Sequence, residues 1–217
     1  MFSNDLHPHG NAQIAMSGAA LENADQVIIL VHGRGATAQS MFSLGQLFAT
    51  EKTAFLAPQA SENTWYPYSF MADEQLNQPY LDSALTLLNH IVERLIKQGF
   101  DASQISLIGF SQGACLSLEF AARNAYSFKL VAGLSGGLNG ESLTSSRYAS
   151  DLSNQQVFLG CSDIDFHIPV KRVYETARLF EDRGAKVIKH IYPNMGHHVN
   201  DHEVEEIQKL LQFKTRT

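Results

Sequence analysis

Cysteine is scarce in this chain: 217 residues hold two, Cys115 and Cys161. Two cannot build a disulfide framework, and their scarcity suits a reducing, cytoplasmic setting. Charge is sparse as well, at 18% of residues, and the net charge is −6. No basic stripe interrupts that acidity, which excludes nucleic acid as a partner, because phosphate contacts need clustered lysine and arginine. No run approaches the ~20 consecutive apolar residues that span a bilayer, so stable membrane insertion is not expected. The opening Met1-Phe2-Ser3-Asn4-Asp5-Leu6-His7-Pro8 lacks both a basic start and an apolar core, and no signal peptide is expected from it. What is present is an ordinary globular composition, 44% hydrophobic. The length suits a single α/β domain over residues 1–217 with a sizeable core.

Short apolar segments alternate with longer amphipathic ones, the pattern of a largely parallel sheet covered by helices. Strands are expected at 27–31, 53–56, 105–108, 130–134, 157–159 and 186–191. Within the N-terminal segment 1–20, residues 13–19 could add an antiparallel edge strand. Leu81, Ala84, Leu85, Leu88, Val92, Leu95 and Ile96 recur at helical spacing, with Gly99 as a stop. Val170, Val173, Ala177 and Phe180 repeat the pattern, with Pro169 in the first turn and Gly184 beyond the end. A last helix runs through Val204, Ile207, Leu210 and Leu211, and Asn200 and Glu203 are spaced as its capping box. The segment 114–122 is apolar almost all round, as a helix buried against the sheet must be.

Chemistry enters at Gly109-Phe110-Ser111-Gln112-Gly113. A serine with glycines at minus two and plus two, between strand and helix, is the pattern of a nucleophile elbow. A serine hydroxyl needs a base, and the base needs an orienting acid. Downstream, the strand at 157–159 runs into Gly160-Cys161-Ser162-Asp163-Ile164-Asp165-Phe166-His167-Ile168-Pro169, where Asp163 or Asp165 could orient a histidine. The final strand is followed by Pro193-Asn194-Met195-Gly196-His197-His198, which places a histidine last in the chain order serine, acid, histidine. After the first central strand, His32-Gly33-Arg34-Gly35 forms a glycine loop opening toward a helix around 41–48. Its Arg34 N–H, together with the Gln112 N–H, would supply an oxyanion hole.

These segments resemble the phospholipase/carboxylesterase family of α/β-hydrolases, which includes acyl-protein thioesterases and small bacterial carboxylesterases. The shared features are His32-Gly33-Arg34-Gly35, Ala57-Pro58 followed by Trp65-Tyr66-Pro67, Gly109 to Ala114, Leu134-Ser135-Gly136, Asp165 to Pro169, and Tyr192-x-x-Met195-x-His197. The resemblance extends from about Val27 to the last helix. It implies an α/β-hydrolase fold without a cap domain and a serine esterase working without metal or organic cofactor. It selects Asp165 over Asp163 and His197 over His198, for a triad of Ser111, His197 and Asp165. Gly160-Cys161-Ser162 and Arg34-Gly35-Ala36 depart from the thioesterase branch, so the chain looks closer to the small carboxylesterases.

The expected substrate is a small-molecule ester with a short-to-medium acyl chain. Alternatives are lysophospholipase or acyl-protein thioesterase activity, or a non-catalytic binding module on the same fold. The segment 135–156 is too short and polar for a cap. The aromatic loop 63–71 is the remaining candidate wall, with Trp65, Tyr66 and Phe70 as substrate-binding residues or, equally, as rings that pack the loop down. An exposed edge strand or this loop could support a homodimer. The Arg34 side chain could attract anionic substrates, but a salt bridge with a local carboxylate is the role expected first, and His32 is expected as a structural hydrogen-bonder. Cys115 reads as core and Cys161 as buried at a strand end. His7 and His9 have a metal-like spacing but no acidic or thiol partner, and are expected to be solvated. His90, His167, His190 and His202 carry no motif.

Overall fold

The computed structural model describes residues 8–212. Seven strands form one sheet: β1 (Ile14–Gly18), β2 (Gln26–Val31), β3 (Thr53–Pro58), β4 (Ile105–Phe110), β5 (Leu130–Leu134), β6 (Gln156–Ser162) and β7 (Lys186–Tyr192). Their spatial order is β1-β3-β2-β4-β5-β6-β7. Only β1 is antiparallel to its neighbour, pairing Ile14 to Gly18 against Pro58 to Ala54, while the other pairings are parallel.

Several strands run further than local composition suggests. Gly160, Cys161 and Ser162 are weak strand formers, yet they continue β6 because they pair in register with His190, Ile191 and Tyr192 of β7. Central strands are buried on both faces, as parallel sheets require. Successive side chains then serve opposite layers: Val27, Ile29 and Val31 join one core, and Ile28 and Leu30 the other.

The helices α2 (Tyr80–Lys97), α3 (Gln112–Arg123) and α4 (Val170–Glu181) pack into the first core. The short α1 (Phe42–Gln46) and the last helix α5 (Asp201–Leu211) pack into the second. The expected helix at 41–48 shrinks to α1, preceded by a 3₁₀ turn at Gln39–Met41. In α3 every residue from Gln112 to Ala122 is buried, which explains its lack of a polar stripe. The capping box of α5 forms as spaced: Asn200 Oδ1 accepts from the Glu203 N–H, and Glu203 Oε2 from the Asn200 N–H, both at 2.9 Å. Among the described residues no helix is long and apolar enough to cross a membrane.

His7 lies outside the described residues. His9 is not solvated but fully buried, and its main-chain N–H donates to Ser83 Oγ. Its Nδ1 accepts from the Ser61 N–H, which leaves the protonated Nε2 to donate to the Trp65 carbonyl. Burial lowers its pKa. It is a structural histidine, buried because every polar atom of the ring finds a partner.

The direction of chain travel reverses at β2: β3 lies on one side of it and β4 on the other. Open α/β sheets bind ligands at such a switch, outside the carboxyl ends of the strands. The loops after β2, β3, β4, β6 and β7 meet there.

Candidate active site

Ser111 sits between the last residue of β4 and the first of α3, at φ 55° and ψ −120°. A non-glycine residue held at positive φ stores about 1–3 kcal/mol of strain. Two hydrogen bonds hold it, from the Ser111 N–H to the Leu134 carbonyl at 2.9 Å and from the Cys115 N–H to the Ser111 carbonyl at 3.0 Å. The flanking glycines are required by close approach. A Cβ on Gly109 would collide with the Gly113 carbonyl group, and one on Gly113 with the carbonyl oxygens of Val31 and His32. Glycine at these two places therefore sets how closely α3 docks on β4 and β2.

The three residues expected as a triad come together from 86 and 32 positions apart. His197 Nε2 lies 2.9 Å from Ser111 Oγ, and His197 Nδ1 lies 2.7 Å from Asp165 Oδ2. The other oxygen, Asp165 Oδ1, accepts the N–H groups of His167 at 2.8 Å and Ile168 at 3.1 Å. The Asp165 side chain has no exposed surface. Burial alone would raise its pKa, but the hydrogen bond from His197 and the two N–H groups outweigh that and hold the carboxyl below its ordinary value. A carboxylate that remains ionised in this position keeps the proton of His197 on Nδ1 and leaves Nε2 free to accept from the serine.

Neighbouring residues hold the two loops together. Asp163 is not part of this chain of bonds; its Oδ1 accepts the Asn194 N–H at 2.8 Å. Ser162 Oγ accepts the Gly196 N–H at 3.0 Å, so the end of β6 anchors the histidine loop. His198 is exposed and does not line the cavity. Cys161 is buried with its Sγ 3.9 Å from Asp165 Oδ2; burial, then the charges of Asp165 and Glu203, push its thiol up to about 12. Cys115 is buried too, and burial pushes its thiol to about 12, although its side forms part of the cavity floor. Neither cysteine is a nucleophile in that state.

A cavity of about 510 Å³ opens over Ser111. Gly33 lies directly against the serine: a Cβ there would sit 3.3 Å from Ser111 Cβ. The next N–H in the loop is that of Arg34, and Gln112 supplies the first N–H of α3. Among the described residues neither N–H has a partner within the protein. His32 supports the loop, as expected for a structural residue. Its Nε2 accepts from the Ala60 N–H at 3.1 Å, and its Nδ1 donates to the Gly33 carbonyl at 2.8 Å.

Tyr66 and Phe70 line the cavity, but Trp65 does not. The expectation for Trp65 is corrected: its ring is wholly buried against His32, at 4.9 Å between centroids, and Nε1 donates to the His32 carbonyl at 2.8 Å. An indole with its only donor satisfied inside the fold supports the glycine loop from below. The expected ion pair of Arg34 is also corrected. Its guanidinium donates instead to the carbonyls of Tyr66, Pro67 and Tyr68 at 2.8–2.9 Å. The Gln112 side chain grips the same loop, accepting from the Trp65 N–H at 2.9 Å and donating to the Tyr66 carbonyl at 2.8 Å. Both residues expected to supply the oxyanion hole thus also clamp the aromatic wall with their side chains.

His167 is the residue that sequence reasoning passed over. Its ring stands edge-on to His197 at 4.8 Å and lines the cavity. The available signal was its place two residues after Asp165, on the loop that must wrap the orienting acid. Phe110, at the end of β4, covers the other histidine contact at 5.0 Å.

Comparison with known proteins places the chain in a family. Residues 12–215 match the Phospholipase/Carboxylesterase family. The crystal structure of a phospholipase/carboxylesterase from Dyadobacter fermentans is 40% identical and superposes with a TM-score of 0.89, covering 93% of this chain and 97% of that one. Acyl-protein thioesterase 1 of Kluyveromyces lactis is 27% identical over 89% of this chain and 92% of its own length. An uncharacterized hydrolase of Mycosarcoma maydis is 34% identical over 108 residues, 43% of this chain and 40% of that protein. The fold, the strand-end placement of the motifs and the match over nearly the whole chain lead to one conclusion: this chain belongs to the phospholipase/carboxylesterase family of α/β-hydrolases.

Proposed function

We propose that the chain is a serine carboxylesterase that hydrolyses esters with short-to-medium acyl chains through an acyl-enzyme. The observation carrying this reading is the unbroken line Asp165, His197, Ser111, with contacts of 2.7 and 2.9 Å, at the floor of an open cavity. Ser111 Oγ attacks the ester carbonyl carbon as its proton passes to His197 Nε2. The oxyanion accepts from the N–H groups of Arg34 and Gln112, each such donor being worth about 10²–10³ in turnover. The C–O bond to the alcohol breaks, and the leaving oxygen takes the proton back from His197. Water then gives a proton to His197 and attacks the acyl-serine, releasing the acid and restoring the hydroxyl. Asp165 keeps the imidazole in register and stabilises the imidazolium.

Acyl-chain preference follows from the walls. Tyr66, Phe70, Phe110 and Ile168 give an apolar lining. The segment between β5 and β6 carries one 3₁₀ turn, Ser145–Arg147, and no cap. A cavity of this volume suits small molecules. Two free, buried cysteines support a reducing compartment as its place of action.

The test combines labelling with turnover. A fluorophosphonate probe should label the wild-type protein and leave Ser111→Ala untouched. Hydrolysis of aryl esters of graded chain length should fall by at least about 10⁴ in that variant. Acyl thioesters and lysophospholipids measured beside them separate the related activities. Full ester hydrolysis by Ser111→Ala would refute the assignment.

A further inference from the structure

The charge on the cavity wall is one-sided. Arg34 lines the cavity, and its three acceptors are neutral main-chain carbonyls. Among the described residues no carboxylate pairs with it. A guanidinium has five N–H donors; three are used by Tyr66, Pro67 and Tyr68, leaving the Nε–H and one Nη1–H. No aspartate or glutamate lines the cavity. Asp165, the acid of the site, is fully buried with both oxygens occupied by His197, His167 and Ile168. The remaining ionisable side chains on the wall, His167, His197, Cys115, Tyr66 and Tyr68, include no carboxylate. A protein of net charge −6 therefore keeps a permanent cation, unpaired with any carboxylate among the described residues, in the wall of the cavity that holds Ser111.

The three carbonyl bonds also fix where that cation stands. They hold the guanidinium of this exposed residue against residues 66–68 of the aromatic loop, so it cannot leave the cavity rim without releasing the loop. It belongs to the residue that follows Gly33, the glycine lying against Ser111, so the cation stands within an arginine side chain's reach of that glycine. Building on the esterase reading above, we propose that the substrate is an ester whose short acyl portion ends in a carboxylate, and that the Arg34 guanidinium receives that carboxylate while Ser111 takes the acyl group. The guanidinium acts in binding, while the main-chain N–H of the same residue keeps its separate part in the proposed oxyanion hole. A planar fork suits a carboxylate better than a lysine would.

The measurement is kcat/KM for monoethyl glutarate and ethyl valerate, which share acyl length and differ in the terminal carboxylate, followed by pH-stat. The wild-type protein should prefer the half-ester by about tenfold at low salt, between the strength of an exposed ion pair and that of a charge-assisted hydrogen bond. The preference should shrink as ionic strength rises. In Arg34→Met the ratio should fall to about one or below, whatever its absolute activity, and in Arg34→Lys it should be partly kept. If ethyl valerate is hydrolysed in a Ser111-dependent manner and the half-ester is not preferred, the anion proposal fails while the esterase reading stands. It fails equally if Arg34→Met keeps the wild-type ratio. If neither these esters nor activated aryl esters are hydrolysed, the esterase reading itself fails. Should Arg34→Met not fold, the wild-type ratio, its salt dependence and Arg34→Lys still decide.

Discussion

Exchange of Asp165 for asparagine isolates one atom of the proposed machinery. Oδ1 receives two main-chain N–H groups, from His167 and Ile168, and Oδ2 receives His197 Nδ1. In Asp165→Asn the amide oxygen keeps the two N–H bonds only if the NH₂ group faces His197. Nδ1 must then become an acceptor, the ring proton moves to Nε2, and the histidine points a donor at Ser111 Oγ. It can no longer take the serine proton. The opposite amide orientation would rescue the tautomer but set NH₂ against two N–H donors. That loses two hydrogen bonds, about 1 kcal/mol each, and adds the cost of stranding buried donors. The wrong tautomer therefore prevails. We expect kcat/KM for a short aryl ester to fall by about 10⁴, the loss of the same exchange in a serine protease, which is about 5.5 kcal/mol of transition-state stabilisation. The melting temperature at pH 7 should fall modestly, because both main-chain bonds persist while the stabilisation of the ionised carboxylate is lost. The depressed Asp165 pKa has a second consequence: its stabilisation is present above the unfolded carboxylate value and is lost as pH falls through the lower folded one. The variant should accordingly lose less stability than the wild type on acidification. A folded Asp165→Asn protein with activity within tenfold of wild type would refute the triad as assigned.

Two further predictions concern the frame around the site. Glu203 has no exposed surface and Oε1 without a partner, and burial raises its pKa from 4.5 to about 7. The penalty on its charged form is absent below pH 4.5 and complete above about 7, so Glu203→Gln should stabilise the fold by about 3 kcal/mol at pH 8 and hardly at all at pH 4; an equal effect at both values in urea denaturation would contradict this. Gly113→Ala forces α3 away from the carbonyls of Val31 and His32. It should destabilise by about 3 kcal/mol or more and lower esterase turnover, and an unshifted denaturation midpoint would show that the contact is soft.

Much of the site was legible because its constraints are local. Gly109 and Gly113 flank Ser111 within five residues, since the turn itself demands them. The chain order of Ser111, Asp165 and His197 follows from the order in which parallel strands present their carboxyl ends. The periodicity of α2, α4 and α5 and the capping box at Asn200 are likewise written in neighbouring residues. Fold class and the strand-end placement of Ser111, Asp165 and His197 could therefore be read in advance.

The remainder depends on partners distant in sequence. His9 became a buried structural residue because Ser61, Trp65 and Ser83 surround it. Arg34 found three carbonyls some 32 to 34 residues away instead of a carboxylate. Trp65 turned under the glycine loop while Tyr66 and Phe70 faced the cavity, a choice made by the hydrogen bonds of Gln112 and His32 rather than by the loop's own composition. His167 reached His197 only because β6 and β7 pair to their ends, which places both loops on one rim. Sequence alone determined which chemistry is available and on which strands it rides. The packing of distant segments decided which side chains face the cavity and which hold its walls in place, because hydrogen bonds and burial are settled by whatever lies nearest in space.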